Sequence, residues 1–235
     1  QEEWLLQTLA GVRSVLDPIG AALVGGHTLE GRDGAGLALA LTVNGSAPAK
    51  RHWPKGPLEP GMSLLLSRPI GTGVLFAAAM AGAARTAWID AALDGMQGDQ
   101  SALVSLLARF GTRTCTDITG FGLLGHLGEM LGPAVVVELE PGAIPAYAGA
   151  LNLLEQGFAS TLAPSNATAL ALLEPSGPVR LVGATTATSL SLLIDPQTCG
   201  PLLAALPDAE VPQALAALRS NGFPLAAVIG RALAR

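Results

Sequence analysis

Hydrophobic positions recur along the first turns of the chain with helical spacing: Leu5, Leu9, Val12 and Leu16 follow one another at intervals of 4, 3 and 4. That pattern predicts an opening helix, and Asp17-Pro18 ends it, because the residue before a proline is pushed out of the helical region. An apolar run at 21–24 leads into Gly25-Gly26-His27-Thr28. Residues 36–43 alternate and read as a strand closed by the Asn44-Gly45 turn. Residues 46–61 hold four prolines and two glycines and read as a long loop or linker. A continuous apolar run at 62–67 predicts a buried strand. Arg68-Pro69-Ile70-Gly71-Thr72-Gly73 turns it into a helix over 74–84, with further helices around 87–96 and 102–110.

The second half predicts a helix at 121–131, a strand at 134–140 and a helix at 145–156. Residues 157–190 are dominated by Ala, Ser and Thr, with weak periodicity. Leu192-Leu193-Ile194 then leads into the turn Asp195-Pro196-Gln197-Thr198-Cys199-Gly200. Helices at 201–206 and 211–220 precede a last strand at 225–229. Mixed strands and helices with no internal repeat indicate an α/β or α+β domain.

Composition narrows the classes. Of 235 residues, 50% are hydrophobic and 13% charged, so a sizeable core is available. No apolar run reaches the ~18 residues needed to span a bilayer, so a membrane role is not expected. Net charge is −5, and the only lysines are Lys50 and Lys55. Nucleic-acid binding is not expected, because phosphate neutralisation needs clustered cations. The basic stretch Lys50-Arg51-His52, beside Trp53-Pro54-Lys55, reads as a solvated loop. Cys115 and Cys199 form no metal or disulfide pattern and read as small buried residues. With no signal peptide, a cytoplasmic, reducing location is the default. A chain without an initiator Met that opens inside a helix also reads as a fragment.

The candidate chemistry centres on Cys115-Thr116-Asp117-Ile118-Thr119-Gly120-Phe121-Gly122-Leu123-Leu124-Gly125-His126-Leu127: a short strand, a glycine turn with one carboxylate, then an apolar helix. A carboxylate beside such a turn can hold Mg²⁺ while backbone N–H groups hold phosphate. Asp117 is the candidate metal ligand; its structural alternative is to cap the turn's own N–H groups. Gly120, Gly122 and Gly125 also fit G-x-G-x-x-G, which keeps open a Rossmann-type, NAD-binding oxidoreductase. The short polar strand before the motif argues against that reading. His126 and Glu129 lie at i, i+3 on one helix and could form a metal pair, but no third ligand is in view. Gly25-Gly26-His27-Thr28 could offer N–H groups and a hydroxyl to phosphate, or be a plain turn. A non-catalytic dimerisation or scaffold module is a third reading.

The segments Gly25-Gly26-His27-Thr28-Leu29-Glu30, Leu66 through Leu75, Cys115 through Leu127 and 195–200 together resemble selenophosphate synthetase (selenide, water dikinase). The resemblance implies an α+β, PurM-like (aminoimidazole ribonucleotide synthetase-like) two-domain architecture. A truncated N-terminal sheet domain at 1–61 would precede a complete C-terminal α/β-sandwich domain at 62–235. It implies a homodimer that makes selenophosphate, AMP and phosphate from ATP, selenide and water, with Mg²⁺ as cofactor. Asp117 matches a metal ligand of the family. Gly26, His27 and Thr28 match a loop that contacts ATP in the neighbouring subunit's site. The family's first ~100 residues, with the reactive Cys or selenocysteine, a neighbouring Lys and further metal-binding aspartates, have no counterpart here. Phosphoryl transfer rests on positioning and metal-neutralised charge, so this chain is expected to be an incomplete, inactive part with no catalytic nucleophile of its own. Cys199-Gly200-Pro201 also stands where Ser-Gly-Gly is common in the family.

Overall fold

The computed structural model describes residues 2–32, 34, 36–46 and 52–235. Lys50 and Arg51 of the basic stretch lie outside them. The chain forms two compact units, Gln1–Arg51 and His52–Arg235.

The smaller unit holds helix α1 (Glu2–Leu16), continued by a 3₁₀ turn at Asp17–Ile19 that closes on left-handed Gly20. The expected helix and its Asp17-Pro18 stop are both present. Leu5, Val12 and Leu16 are among the least exposed residues of α1, whereas Leu9 of the 4-3-4 pattern is 37% exposed. The strand expected at 36–43 is not formed: the described backbone there, as at 21–24, is irregular. Alternation alone does not make a strand, because the ladder N–H and C=O groups need a partner strand. Leu37, Leu39, Leu41 and Val43 are exposed by 64%, 59%, 61% and 85%.

The larger unit is built on six strands: β1 (Met62–Leu66), β2 (Thr114–Asp117), β3 (Val135–Leu139), β4 (Val179–Leu181), β5 (Leu202–Pro207) and β6 (Ala227–Ala234). Their order is β2-β5-β1-β6-β3-β4. Every neighbouring pair is antiparallel except β3 and β4. The helices are α2 (Thr72–Met80), α3 (Thr86–Gln97), α4 (Ser101–Arg109), α5 (Gly122–Met130), α6 (Ala150–Glu155), α7 (Ala163–Asn166), α8 (Ala187–Ile194) and α9 (Val211–Ser220).

Period-2 alternation of side chains explains why the central strands are apolar throughout. On β1, Leu64 and Leu66 join the core under α5 and α8, while Leu65 joins the core under α4 and α9. On β5, Leu203 and Ala205 face the first layer, and Ala204 and Leu206 the second. A third apolar cluster joins α2, α3 and α6 through Val74, Leu75, Ala92 and Leu153. Each fully buried leucine contributes about 1.5–3 kcal/mol of transfer free energy. The result is a sheet with helices on both faces, the α/β sandwich that the family resemblance implies.

Three element assignments change. Residues 201–206 are strand β5 and not a helix: the Leu/Ala run is buried on both faces between β1 and β2, where tertiary packing overrides helix propensity. The helix expected over 145–156 is limited to α6, because Pro141–Ala143 is a separate 3₁₀ turn and left-handed Gly149 sits at the N-cap. The final strand starts later and runs longer than 225–229.

The sheet order also overturns the Rossmann alternative. That fold needs parallel βαβ crossovers, with the glycine turn leaving a central parallel strand. Here β2 is an edge strand, paired antiparallel with β5, and three strands separate it from β3.

Candidate functional site

The turn after β2 carries the candidate chemistry. Asp117 ends β2 in the exposed position of a strand whose burial alternates inward and outward. Its carboxylate faces outward while Thr116 and Ile118 on either side are buried. The edge of β2 is covered by chain from the segment expected to be a linker: the Cys115 N–H donates to the Pro54 carbonyl at 3.1 Å.

The turn itself is held from three directions. The Thr119 carbonyl accepts from Gly122 N–H at 3.0 Å and from Gln197 N–H at 2.9 Å, and Ile118 N–H donates to the Pro201 carbonyl at 2.9 Å. Buried Asn166, at the end of α7, donates through Nδ2 to the carbonyls of Gly120 (2.8 Å) and Ile194 (3.0 Å). The turn at 118–122 therefore lies directly against the turn at 195–201. Two glycines make that approach possible. Gly122 has φ of 71°, and a Cβ there would lie 2.9 Å from the Ile194 carbonyl carbon; a Cβ on Gly200 would run into the Ile118 carbonyl oxygen. Gly122 is thus a packing glycine, which accounts for part of the G-x-G-x-x-G pattern without a dinucleotide.

On one side of these turns, His126 is 3% exposed. Its Nε2 lies 3.1 Å from Thr119 Oγ1 and its Nδ1 lies 3.2 Å from Glu129 Oε2. Lys55 Nζ donates to the same Glu129 oxygen at 2.9 Å. The Lys55 hydrogen bond holds the Glu129 carboxyl below its usual range, against burial and with help from His126. The same bond raises Lys55, and the nearby charge of Asp117 adds to it. The i, i+3 pair of the sequence is real, but it is a hydrogen bond in a Lys55–Glu129–His126–Thr119 chain. Both imidazole nitrogens are engaged.

On the other side, a buried polar cluster ties β1 and α2 to 195–200. Gln197 Oε1 accepts from Gly71 N–H (2.7 Å), Thr72 N–H (3.0 Å) and the Thr72 hydroxyl (3.1 Å). It thereby caps α2, so the Arg68–Gly73 glycine turn serves contact within the fold. Gln197 Nε2 donates to Asp195 Oδ2 at 2.9 Å. Asp195 is buried, and burial pushes its carboxyl up to about 6. Gln197 and the Val74 and Gly73 N–H groups pull the other way, yet Oδ1 completes no hydrogen bond. Arg68, 8% exposed, donates to the carbonyls of Gly95, Cys199 and Gly200.

The two cysteines differ. Cys115 is half-buried, and burial, aided by the charge of Asp117, pushes its thiol up to about 12, which suits an inert residue. Cys199 is exposed and not buried as expected. Its backbone has φ of 49°, Arg68 holds its carbonyl, and its thiol donates to the Met96 carbonyl at 3.2 Å.

Gly26, His27 and Thr28 lie in irregular, exposed backbone of the smaller unit. Among the described residues, no group of three or more His, Cys, Asp or Glu side chains is placed to hold a metal ion. Asp117 therefore offers one hard oxygen ligand. That donor suits Mg²⁺ held jointly with phosphate oxygens and water, and does not suit a metal caged by protein alone. A cavity of about 430 Å³ in the smaller unit is lined by Trp4, Gln7, Gly34, Gly36 and Leu37. A cleft of about 270 Å³ beside Arg68 and Tyr147 lies in the larger unit. Asp117 lines neither. Among the described residues, no helix is long and apolar enough to cross a membrane.

Sequence reasoning missed Lys55, Thr119 and Asn166 as organisers of this region, and read Asp195 and Gln197 only as part of a turn. The signal for Gln197 was its place in a Pro-Gln-Thr-Cys-Gly turn opposite a second glycine turn. Asn166 sits in the weakly periodic stretch and gave none.

An antiparallel-rich sheet sandwiched by helices, with a glycine turn locked at the end of an edge strand, defines a PurM-like C-terminal domain. The chain belongs to the family of AIR synthase related proteins, whose C-terminal domain model matches residues 59–235. A selenide, water dikinase of Desulfitobacterium hafniense is 34% identical over 229 residues, covering 97% of this chain and 64% of that protein. A selenide, water dikinase of Pelobacter propionicus is 34% identical over 212 residues, 90% of this chain and 59% of that protein. The chain thus spans just under two thirds of the length of these relatives, and the resemblance drawn from its motifs holds along almost all of it. Among solved structures, E. coli HypE shares the fold with a TM-score of 0.52 at 19% identity, over 81% of this chain and 49% of that one. Thiamine-monophosphate kinase from Stenotrophomonas maltophilia does so with a TM-score of 0.51 at 14% identity, over 80% and 52%.

Proposed function

We propose that this chain is part of an ATP-dependent selenide, water dikinase, which forms selenophosphate, AMP and phosphate from ATP, selenide and water. The observation that carries the reading is the match along 97% of the chain to a protein of that name. Residues 1–61 would close the N-terminal domain of such an enzyme and 62–235 would form its C-terminal domain. The working unit would be a cytoplasmic homodimer, in which Gly26, His27 and Thr28 meet the nucleotide bound by the neighbouring subunit.

Within this reading, Asp117 is the chain's own cation ligand. A bound Mg²⁺ would neutralise charge on the transferring phosphates. The chain contributes a carboxylate presented outward on a rigid turn, so that little conformational freedom is lost when the cation arrives. Gly26 and Thr28 can offer backbone N–H groups and a hydroxyl to phosphate oxygens. A single carboxylate holds Mg-ATP poorly, so the chain by itself is expected to turn over little or no ATP.

The test is Asp117→Asn in a protein that joins this chain to the family's opening segment. Selenide-dependent formation of selenophosphate and AMP, followed by phosphorus NMR, is expected to fall by ~100-fold or more, the scale of losing a metal contact, with circular dichroism unchanged. Turnover near that of the unmutated protein would remove Asp117 from the metal role.

A further inference from the structure

The strongest unused feature is a buried histidine whose two nitrogens are both committed, one of them to the turn that carries Asp117. From this geometry we infer that His126 is a positioning residue: through Thr119 it holds the 117–122 turn in the form that presents the Asp117 carboxylate to a divalent cation. The inference rests on the reading of Asp117 as a cation ligand, and deepens it.

An ionised carboxylate only accepts, and Lys55 keeps Glu129 ionised. The His126 Nδ1, 3.2 Å from Glu129 Oε2, must therefore carry the proton. In the neutral ring Nε2 is then an acceptor, and takes the Thr119 hydroxyl proton at 3.1 Å; in the charged ring it donates to the same oxygen. The contact survives in both states, which a positioning device requires and a titrating switch does not. Thr119 is the hub of the turn, because its carbonyl also accepts from Gly122 and Gln197. Asp117 is two residues away and exposed, at the end of β2 where the ladder pairs it with Leu202. The ring is kept in place by burial at 3% exposure and by Phe121, whose ring centroid lies 5.6 Å away. Lys55 and Glu129 thus orient the ring, and the ring orients the turn.

The test uses this chain, Mn²⁺ together with ATP as probe, and two side chains that split the two roles of the ring. His126→Gln can still reach Thr119 from the Nε2 position, whereas His126→Asn can reach only toward Glu129. Amide hydrogen exchange at Gly122 and Gln197 is expected to be about tenfold faster in His126→Phe and His126→Asn, the scale of one lost buried hydrogen bond, and near its original rate in His126→Gln. Paramagnetic broadening by Mn²⁺ at the amides of 117–119 should weaken in the same order. Nitrogen-15 spectra of the three histidines should show one ring fixed with Nδ1 protonated. Should His126→Phe fail to fold, Thr119→Val is expected to give the same local exchange increase. Equal behaviour of the Gln and Asn variants, or unchanged exchange in His126→Phe or Thr119→Val, would overturn the positioning role. Mn²⁺ broadening that is absent, or that persists in Asp117→Asn, would instead strike the metal reading, and the exchange series would then decide the positioning role by itself.

Discussion

The cluster around Gln197 and the cluster around His126 share one backbone hydrogen bond, from Gln197 N–H to the Thr119 carbonyl, and use polar groups in opposite ways. Around Gln197 the polar atoms are turned on each other. Arg68 spans three carbonyls, Gln197 caps α2, and Asp195 is sealed in. Around His126 a buried base leads outward to exposed Glu129 and Lys55, and to exposed Asp117 across the turn. Inward-facing polar groups specify how two loops dock; outward-facing ones leave the Asp117 carboxylate open to solvent. Under the proposed reading of Asp117, the site would rest on a cluster that does not itself touch the ligand.

The sharpest way to break this comparison is to remove Arg68. Arg68→Ala takes away charge-assisted hydrogen bonds to Gly95, Cys199 and Gly200 and leaves buried acceptors without a donor. A loss of about 3–4 kcal/mol in urea unfolding is expected. The turn at 118–122 should loosen with it, seen as faster exchange at Ile118, whose N–H is bonded to Pro201. A loss under about 1 kcal/mol would mean that the docked loops do not depend on the inward cluster.

Asp195→Asn tests the same cluster through pH. The folded-state value of Asp195, about 6, lies above its ordinary value of 3.8. The folded protein then binds more protons than the unfolded chain between these values. The contribution is fully present below about pH 4 and is lost as pH rises through about 6. The difference amounts to roughly 2–3 kcal/mol across the window. Asp195→Asn is expected to remove that slope from unfolding free energies measured between pH 4 and 7. An unchanged slope would show that Asp195 ionises freely in the folded state.

Most of the sandwich could be read from periodicity, and the exceptions have physical causes. β1 and α3 to α5 were visible because each has a sustained apolar pattern of the right period. β5 was not, since Leu-Leu-Ala-Ala-Leu suits a helix as well as a strand buried on both faces. Asp117 and the 195–200 turn were visible as motifs, but what joins them was not. The contacts of Asn166 to Gly120 and Ile194 span 46 and 28 residues, and no local pattern encodes them. His126 and Glu129 were found by helical spacing, but the chain they belong to was not, because Thr119 lies before the helix starts and Lys55 lies 74 residues away from Glu129. Cys199 was read as buried because residue type was the only guide. Its exposure follows from a backbone conformation with φ of 49° that Arg68 helps to hold.

Glu129→Gln sharpens the comparison by its sign, with the smallest expected effect. Glu129 is held below its ordinary value of 4.5, first by the Lys55 hydrogen bond. Its contribution to stability is present above about pH 4.5 and is lost as pH falls through the lower folded value, the reverse of Asp195. The side chain is 39% exposed, so solvent and salt screen the pair and the effect should stay below ~1 kcal/mol. Unfolding measured from pH 3 to 7, at low salt and again at high salt, separates the two carboxylates. Removing Asp195 should flatten the curve above pH 4 at either ionic strength. Removing Glu129 should flatten it below pH 4.5, and chiefly at low salt. The salt dependence is what distinguishes a cluster open to solvent from one closed to it. If both variants changed the curve in the same direction, or if both were equally insensitive to salt, the division between an inward docking cluster and an outward ligand-facing one would not hold.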